Sequence, residues 1–481
     1  MGCVNRKTVG LKLAFGKELG DQMRKFTFLA SAALAFAATT PAFAQVSMQE
    51  AISLAVKTNP EILQAQFNKE AIEFERKQAQ GLFHPRIDVE GSAGVRRLEN
   101  STRRALGIAN DELYPLELSL GGEWTLVDFG RRRGELLRQA ARVDGASLRV
   151  LERSEFVALE VARQYLDLLL QQRVLAASQD NAAFHRALVE DLGQGVNQGS
   201  ISVADLQQAE ERLQAATARQ EEAQQAFNEA NITLRRLTGL DITQPSLPPV
   251  LASALPTTLD QAVGLARTRN PLVREATADV DSANAAAASA KGDLYPTIGV
   301  EVRGRIGDDI DGFRGETNDL QARAVLRWNL WDGGINRAKL QEMVRRASQS
   351  RYRLHELQRE AEQDVRTAWS VMQTQGNLVG VLERQSQVSD DLLLSYRSQF
   401  NVGRRSLLDV LDAQNTRYNT QVRLETARFS QIFAQYQALA ATNSFLDALN
   451  VAPGTGAGET EREQFQYGPP VPAELQRRVY P

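Results

Sequence analysis

Cysteine is almost missing from this sequence: the one copy stands at position 3. A lone thiol cannot close an internal disulfide, so stability has to come from size and packing. Histidine is nearly as scarce. His84, His185 and His355 are the only three, and none has a partner at metal-ligand spacing. His84 precedes a proline, and the other two fall in helical stretches as coiled-coil surface residues. No G-x-S-x-G, H-E-x-x-H or phosphate-binding loop occurs. The sequence therefore does not read as an enzyme, and it calls for no cofactor and no metal. Beyond residue 44 no run reaches the ~18 apolar residues of a membrane-crossing helix. Proline is withheld from 130–192 and from 334–400, which leaves room for two very long helices.

What is present begins with an export signal. "MRKFTFLASAALAFAATTPAFAQ" starts at Met23 with Arg24 and Lys25, runs through apolar residues to Ala38 and ends in Ala42-Phe43-Ala44. This is a secretory signal peptide over 23–44 with mature Gln45, and 1–22 is an upstream extension. Arg6 spoils the N-myristoylation pattern, and no cysteine follows the cleavage point to take a lipid anchor. The full chain has 56 basic and 59 acidic residues. Removing 1–44 takes six basic and two acidic ones, leaving 50 against 57, a net charge of −7. That balance disfavours nucleic acid as a partner.

The chain contains itself twice. "AISLAVKTNPEI" at 51–62 recurs as "AVGLARTRNPLV" at 262–273, an offset of 211. Trp124, Asp128, Gly199, Ser202 and Asp205 match Trp328, Asp332, Gly403, Ser406 and Asp409 at 204. Such offsets mean a duplicated unit far longer than solenoid repeats. The first repeat spans 45–243 and the second 257–450. The segment 244–256 links them, and the Gly- and Pro-containing stretch 451–481 reads as a disordered tail.

Both copies run through the same parts. Asn59 and Asn270 are helix N-caps, each followed by proline at the first helical position. The period then changes to two, giving strands at about 86–96, 115–127, 297–306 and 319–330. One face of each is apolar and the other often charged. A soluble four-stranded sheet and a piece of a membrane barrel both fit that alternation. Length and ring placement suit the barrel, and the open edges decide for it. The strands have the length that crosses a bilayer at a tilt, and Trp124, Trp328 and Trp331 stand at strand ends, where membrane barrels carry aromatic girdles. Four strands leave two open edges, and a barrel needs at least about eight, so several chains must share one. Helices of about 100 Å follow each strand pair. They return as antiparallel coiled-coil hairpins whose tips turn at Gly199 and Gly403.

With "WTLVDFG" and "WNLWDGG" at strand ends and "VGRRSLLDVLDAQNTRY" after the second tip, the chain resembles the TolC family of outer-membrane channels over about 46–450. The fold the resemblance implies is mainly α with membrane β. Long antiparallel helical hairpins would form an α-barrel, and each protomer of a homotrimer would give four transmembrane strands to a shared twelve-stranded barrel. The implied function is a passive exit duct in the outer-membrane lipid, reaching across the periplasm of a Gram-negative cell. The implied partners are a periplasmic adaptor and an inner-membrane ABC transporter or proton-driven pump. Type I protein secretion is the nearer branch, multidrug or metal efflux the alternative, and a periplasmic coiled-coil scaffold or adaptor the distant one.

The resemblance also assigns residues. Asp409 and Asp412, three apart on one helix face, would make rings of carboxylates at the periplasmic mouth. Arg405, Asp205 and Phe400 occupy the gate-tether positions. Phe400 stands where the family often has Tyr, and Ala204 where it has Thr, so the tether loses two hydrogen-bonding groups. Gly199, Ser200, Gly403 and Arg404 form the adaptor-docking tips. Extracellular loops fall at 97–114 and 307–319.

Overall fold

The computed structural model describes residues 46–465 apart from Thr243. The signal peptide, the extension 1–22 and the end of the tail lie outside the described residues. The chain opens with α1 (Met48–Thr58) and α2 (Pro60–Gly81). Ser47 caps α1 in a reciprocal box with Glu50, and Asn59 caps α2 by accepting the Glu61 amide. Then come β1 (Arg86–Ala93), β2 (Arg96–Arg97), α3 (Ser101–Ala105), β3 (Glu112–Leu113) and β4 (Leu116–Val127). The long helix α4 (Arg131–Asn197) descends to the first tip and α5 (Val203–Thr238) returns.

The second copy repeats the order as α6 (Leu259–Arg269), α7 (Pro271–Gly292), β5 (Thr297–Asp308), β6 (Glu316–Arg327), α8 (Ile335–Asn401) and α9 (Leu407–Ala441). Two short helices follow, α10 (Phe445–Ala448) and α11 (Glu461–Gln464). Helix α1 matches α6 at 11 residues, α2 matches α7 at 22, and α4 matches α8 at 67. Each long helix starts at a left-handed glycine that has no side chain to cap it. The cap comes from two residues upstream. Asp128 accepts the amides of Gly130 and Arg132, and Asp332 those of Gly334 and Asn336.

The sheet has the order β1-β4-β5-β6, antiparallel throughout, with β1 and β6 as unpaired edges. Register brings Val89, Leu120, Gly304 and Leu320 into one row. On that face Val89 is 69%, Leu120 55% and Leu320 80% exposed. The opposite face is polar and laced with ion pairs: Arg303 with Glu117 (3.5 Å), Arg323 with Glu301 (2.7 Å), Arg327 with Glu123 (3.2 Å). The amphipathicity is thus inverted relative to a soluble sheet, which would bury its leucines.

Several boundaries differ from expectation. β5 and β6 run on to Asp308 and Glu316 because Asp309, at φ +57°, accepts the Gly315 amide and closes a tight hairpin over 309–315. β6 ends at Arg327, so Trp328 and Trp331 lie just beyond it. The other loop, 94–115, is folded: buried Arg103 donates to the carbonyls of Gly312, Ile108 and Asp111 and ties the two loops together. α9 stops at Ala441, and shortly after it Asn443 takes a left-handed conformation (φ +55°).

The main core lies at mid-height. There α4 (Val157–Leu169) packs against α1, the ends of α5 and α9, and α10. Tyr165 and Tyr436 donate to the carbonyls of Val46 and Pro249, stitching the leader and the inter-repeat linker to this collar. Residues 451–465, expected as disordered tail, are instead packed upward along α4. Asp144 accepts the backbone amides of Thr460, Glu461 and Arg462. The Arg462 guanidinium bridges Asp144 (2.9 Å) and Asp281 (2.8 Å), both carboxylates almost wholly buried. His185, expected on the surface, is 5% exposed and edge-on to Phe184. It lies on the α4 face that also buries Asn181, Leu188 and Leu192.

Candidate functional site

The sequence points to the two tips, and each is built the same way. A left-handed glycine (Gly199, φ +72°; Gly403, φ +70°) ends the long helix. The next amide then reaches back to a carbonyl five residues upstream, Ser200 to Gly195 and Arg404 to Gln399, each at 2.9 Å. Gly199, Ser200, Gly403 and Arg404 are exposed. The returning helices begin at Ser202 and Ser406. Their hydroxyls accept the Asp205 and Asp409 amides and donate to the same residues' carboxylates at 2.7 and 2.9 Å. These are half capping boxes: the serine side is made, and no carboxylate reaches back to the serine amide.

Behind the tips an apolar seam joins the hairpins. Leu188, Leu192, Ala209, Leu407 and Leu411 form one cluster, and Leu393, Val410 and Ala413 another. Phe400 packs against both, so this gate-position residue serves the seam within the protomer. Two polar links cross between copies here: Gln414 donates to Asn181 (2.9 Å), and Arg219 to Asn415 (3.0 Å).

The acids of α9 turn away from that seam. Val410, Leu411 and Ala413 are buried, whereas Asp412 is exposed and Asp409 half exposed. The Ser406 hydroxyl, with Arg405 beside it, holds the Asp409 carboxyl below the usual range, so it stays ionised at neutral pH. Among the described residues Asp412 has no ion-pair partner. Arg405 lies 3.6 Å from Asp409, donates to Gln399 (3.2 Å) and stacks on the Tyr396 ring at 4.2 Å. No hydrogen bond or ion pair joins Arg405 to Asp205. Sequence reasoning missed Tyr396, which lies nine residues before Arg405 across a turn, where no helical or strand period signals contact.

At the other end Trp124 donates its indole N–H to the Phe83 carbonyl (2.9 Å), and Trp328 does the same to Leu294 (3.3 Å). Two-fold repetition thus places an exposed ring, anchored at its polar edge, at the helix–sheet junction of each copy. Trp331 is 81% exposed. Among the described residues no cluster of His, Cys, Asp and Glu could hold a metal ion.

Comparison with known proteins fits this geometry. A family model described as outer membrane efflux protein matches residues 51–240 and 262–444, one stretch in each copy. Nodulation protein T of Rhizobium leguminosarum bv. trifolii is 26% identical over 387 residues, 77% of this chain and 78% of that protein. Outer membrane efflux protein BepC of Brucella suis biovar 1 is 24% identical over 279 residues, 58% of this chain; the match spans 61% of BepC. Among solved structures the Campylobacter jejuni CmeC outer membrane channel superposes with a TM-score of 0.75 at 12% identity, covering 87% of this chain and 88% of that one. The chain therefore belongs to the outer membrane efflux protein family, the TolC family its repeated motifs resemble, and is an outer-membrane protein of a Gram-negative cell.

Proposed function

We propose that this chain is one of three identical protomers of a passive exit duct, and that the duct serves type I protein secretion. The observation that carries the duct is the inverted sheet: apolar side chains bare on one face, paired charges on the other, and two open edges. Lipid tolerates bare leucines but not unpaired strand edges, so neighbours must close the sheet. Three copies would give twelve strands. Helix α8 supports the same arrangement, since only seven of its 67 positions are buried within the protomer. A shared axis would turn Asp409 and Asp412 into rings of three carboxylates, favouring cations at the mouth. The exposed tips would meet a periplasmic adaptor, itself coupled to an inner-membrane ABC transporter.

Fractionation tests the duct. Heat-modifiable trimers in the outer-membrane fraction are expected; recovery of monomer in osmotic-shock fluid would overturn it. The protein cargo rests on the "VGRRSLLDVLDAQNTRY" segment. The name of the BepC relative, an efflux protein, favours a second reading, small-molecule efflux with a proton-driven pump. Deleting the gene separates the two: a depleted secretome supports protein cargo, and drug or metal sensitivity with an intact secretome supports efflux.

A further inference from the structure

The residue that would fasten the mouth is already occupied. Arg405 has three partners on its own hairpin: the face of Tyr396 (4.2 Å from ring centroid to guanidinium carbon), the Gln399 side chain (3.2 Å) and Asp409 (3.6 Å). Two of these belong to the last turns of α8, before the tip, and one to the first turn of α9, after it. Arg405 thereby staples its own turn. Tyr396 is no loose partner. Its ring is half-buried against Leu393, Val410 and Ala413, beside Phe184 and Phe400, so packing fixes the platform on which the guanidinium rests. Asp205, by contrast, has among the described residues only the Ser202 hydroxyl on its carboxylate, at Oδ2.

We propose that Tyr396 is a positioning residue of the mouth: by holding Arg405 on its own hairpin it competes with Asp205 of an adjacent protomer and biases the duct toward opening. The inference rests on the duct reading and deepens it. The ring holds the guanidinium where its Nε donates to Gln399 and a terminal nitrogen faces Asp409, so a neighbour's carboxylate has to compete with these home partners for the same donors, and every contact kept at home opposes closure. Loss of one exposed cation–π contact would shift that balance about two- to fivefold per protomer, and three protomers share one mouth. Phe400 cannot take over the platform, because its ring is spent on the seam behind the tip.

Single-channel recording of the full-length protein in planar bilayers tests this with four variants. Tyr396→Leu removes the platform and should lower conductance or open probability severalfold. Tyr396→Phe keeps the ring face and should match the parent. Arg405→Ser should raise conductance, and Tyr396→Leu combined with Arg405→Ser should match Arg405→Ser alone, since the platform then has nothing to hold. An unchanged Tyr396→Leu beside a raised Arg405→Ser would overturn the role of Tyr396 while leaving the duct intact. A loss that persists in the double variant would overturn it too, because the effect would then be packing damage to the seam. If the parent fails to conduct, the duct reading falls and takes the inference with it.

Discussion

At the scale of single residues, two groups of carboxylates show how position decides chemistry. Asp409 is placed where ionisation is easy, on a serine hydroxyl, and Asp412 stands exposed one turn further on. Replacing both with alanine should lower the cation-over-anion permeability ratio severalfold and weaken block by trivalent cations. Unchanged reversal potentials would remove the pair from the constriction. Glu155 is the opposite case. It is 6% exposed in the collar; burial pushes its carboxyl up to about 8, against the pull of the Leu446 amide and with Asp447 nearby. In the window from about 4.5 to 8 the folded chain holds a proton that the unfolded chain has released, so this residue makes stability fall as pH rises. Glu155→Gln should therefore flatten the pH dependence, with a gain in Tm at pH 8 that shrinks toward pH 5. A gain of equal size at both pH values would exclude the ionisation account.

Among the elements, the sheet is the most informative. Alternation revealed which side chains share a face, because the two-residue period is written into the chain. It could not reveal that the leucines lie bare while the arginines are paired, because a period carries no sign of lipid or water. The open edges supplied that sign, and the inverted burial agrees with it. Leu120→Arg, in the middle of the apolar face, should cost about 2–4 kcal/mol of barrel stability, whereas Gln321→Arg on the polar face should be tolerated. Equal tolerance of both in outer-membrane trimer yield would argue that the face meets no lipid. The helices were legible from proline's absence and the capping residues. The short helix after Asn443 was not, since a single left-handed asparagine outweighed a continuing apolar pattern.

Across the whole molecule, the segment 451–465 was the least legible part. Its glycines, proline and sparse apolar residues look like a solvated tail, and the anchors of Arg462 lie 318 and 181 positions away in sequence. Only the fold brings Asp144 and Asp281 to Arg462. The strap also ties the copies together: Glu461 pairs with Arg76 of α2 (3.2 Å), and Glu459 with Arg274 of α7 (2.6 Å). Arg462→Met would strip the cation from two buried carboxylates, which typically costs 3–5 kcal/mol. Thermal unfolding should drop clearly in that variant and recover when Asp144→Asn and Asp281→Asn are added. A Tm within a degree or so of the parent would show the strap to be decoration.

The equal length of α4 and α8 carries a last consequence. Two rods of 67 residues run from one sheet, so in the proposed assembly their tips would end level, and anything fitted to that rim would meet a ring rather than a staircase. Seven residues inserted into each helix of one hairpin alone would drop its tip by about 10 Å below its neighbour. The same insertion in both copies would only lengthen the pipe. In the proposed duct, a wider or narrower gap between two membranes could thus be met only in matched steps, and the duplication keeps both halves to the same ruler.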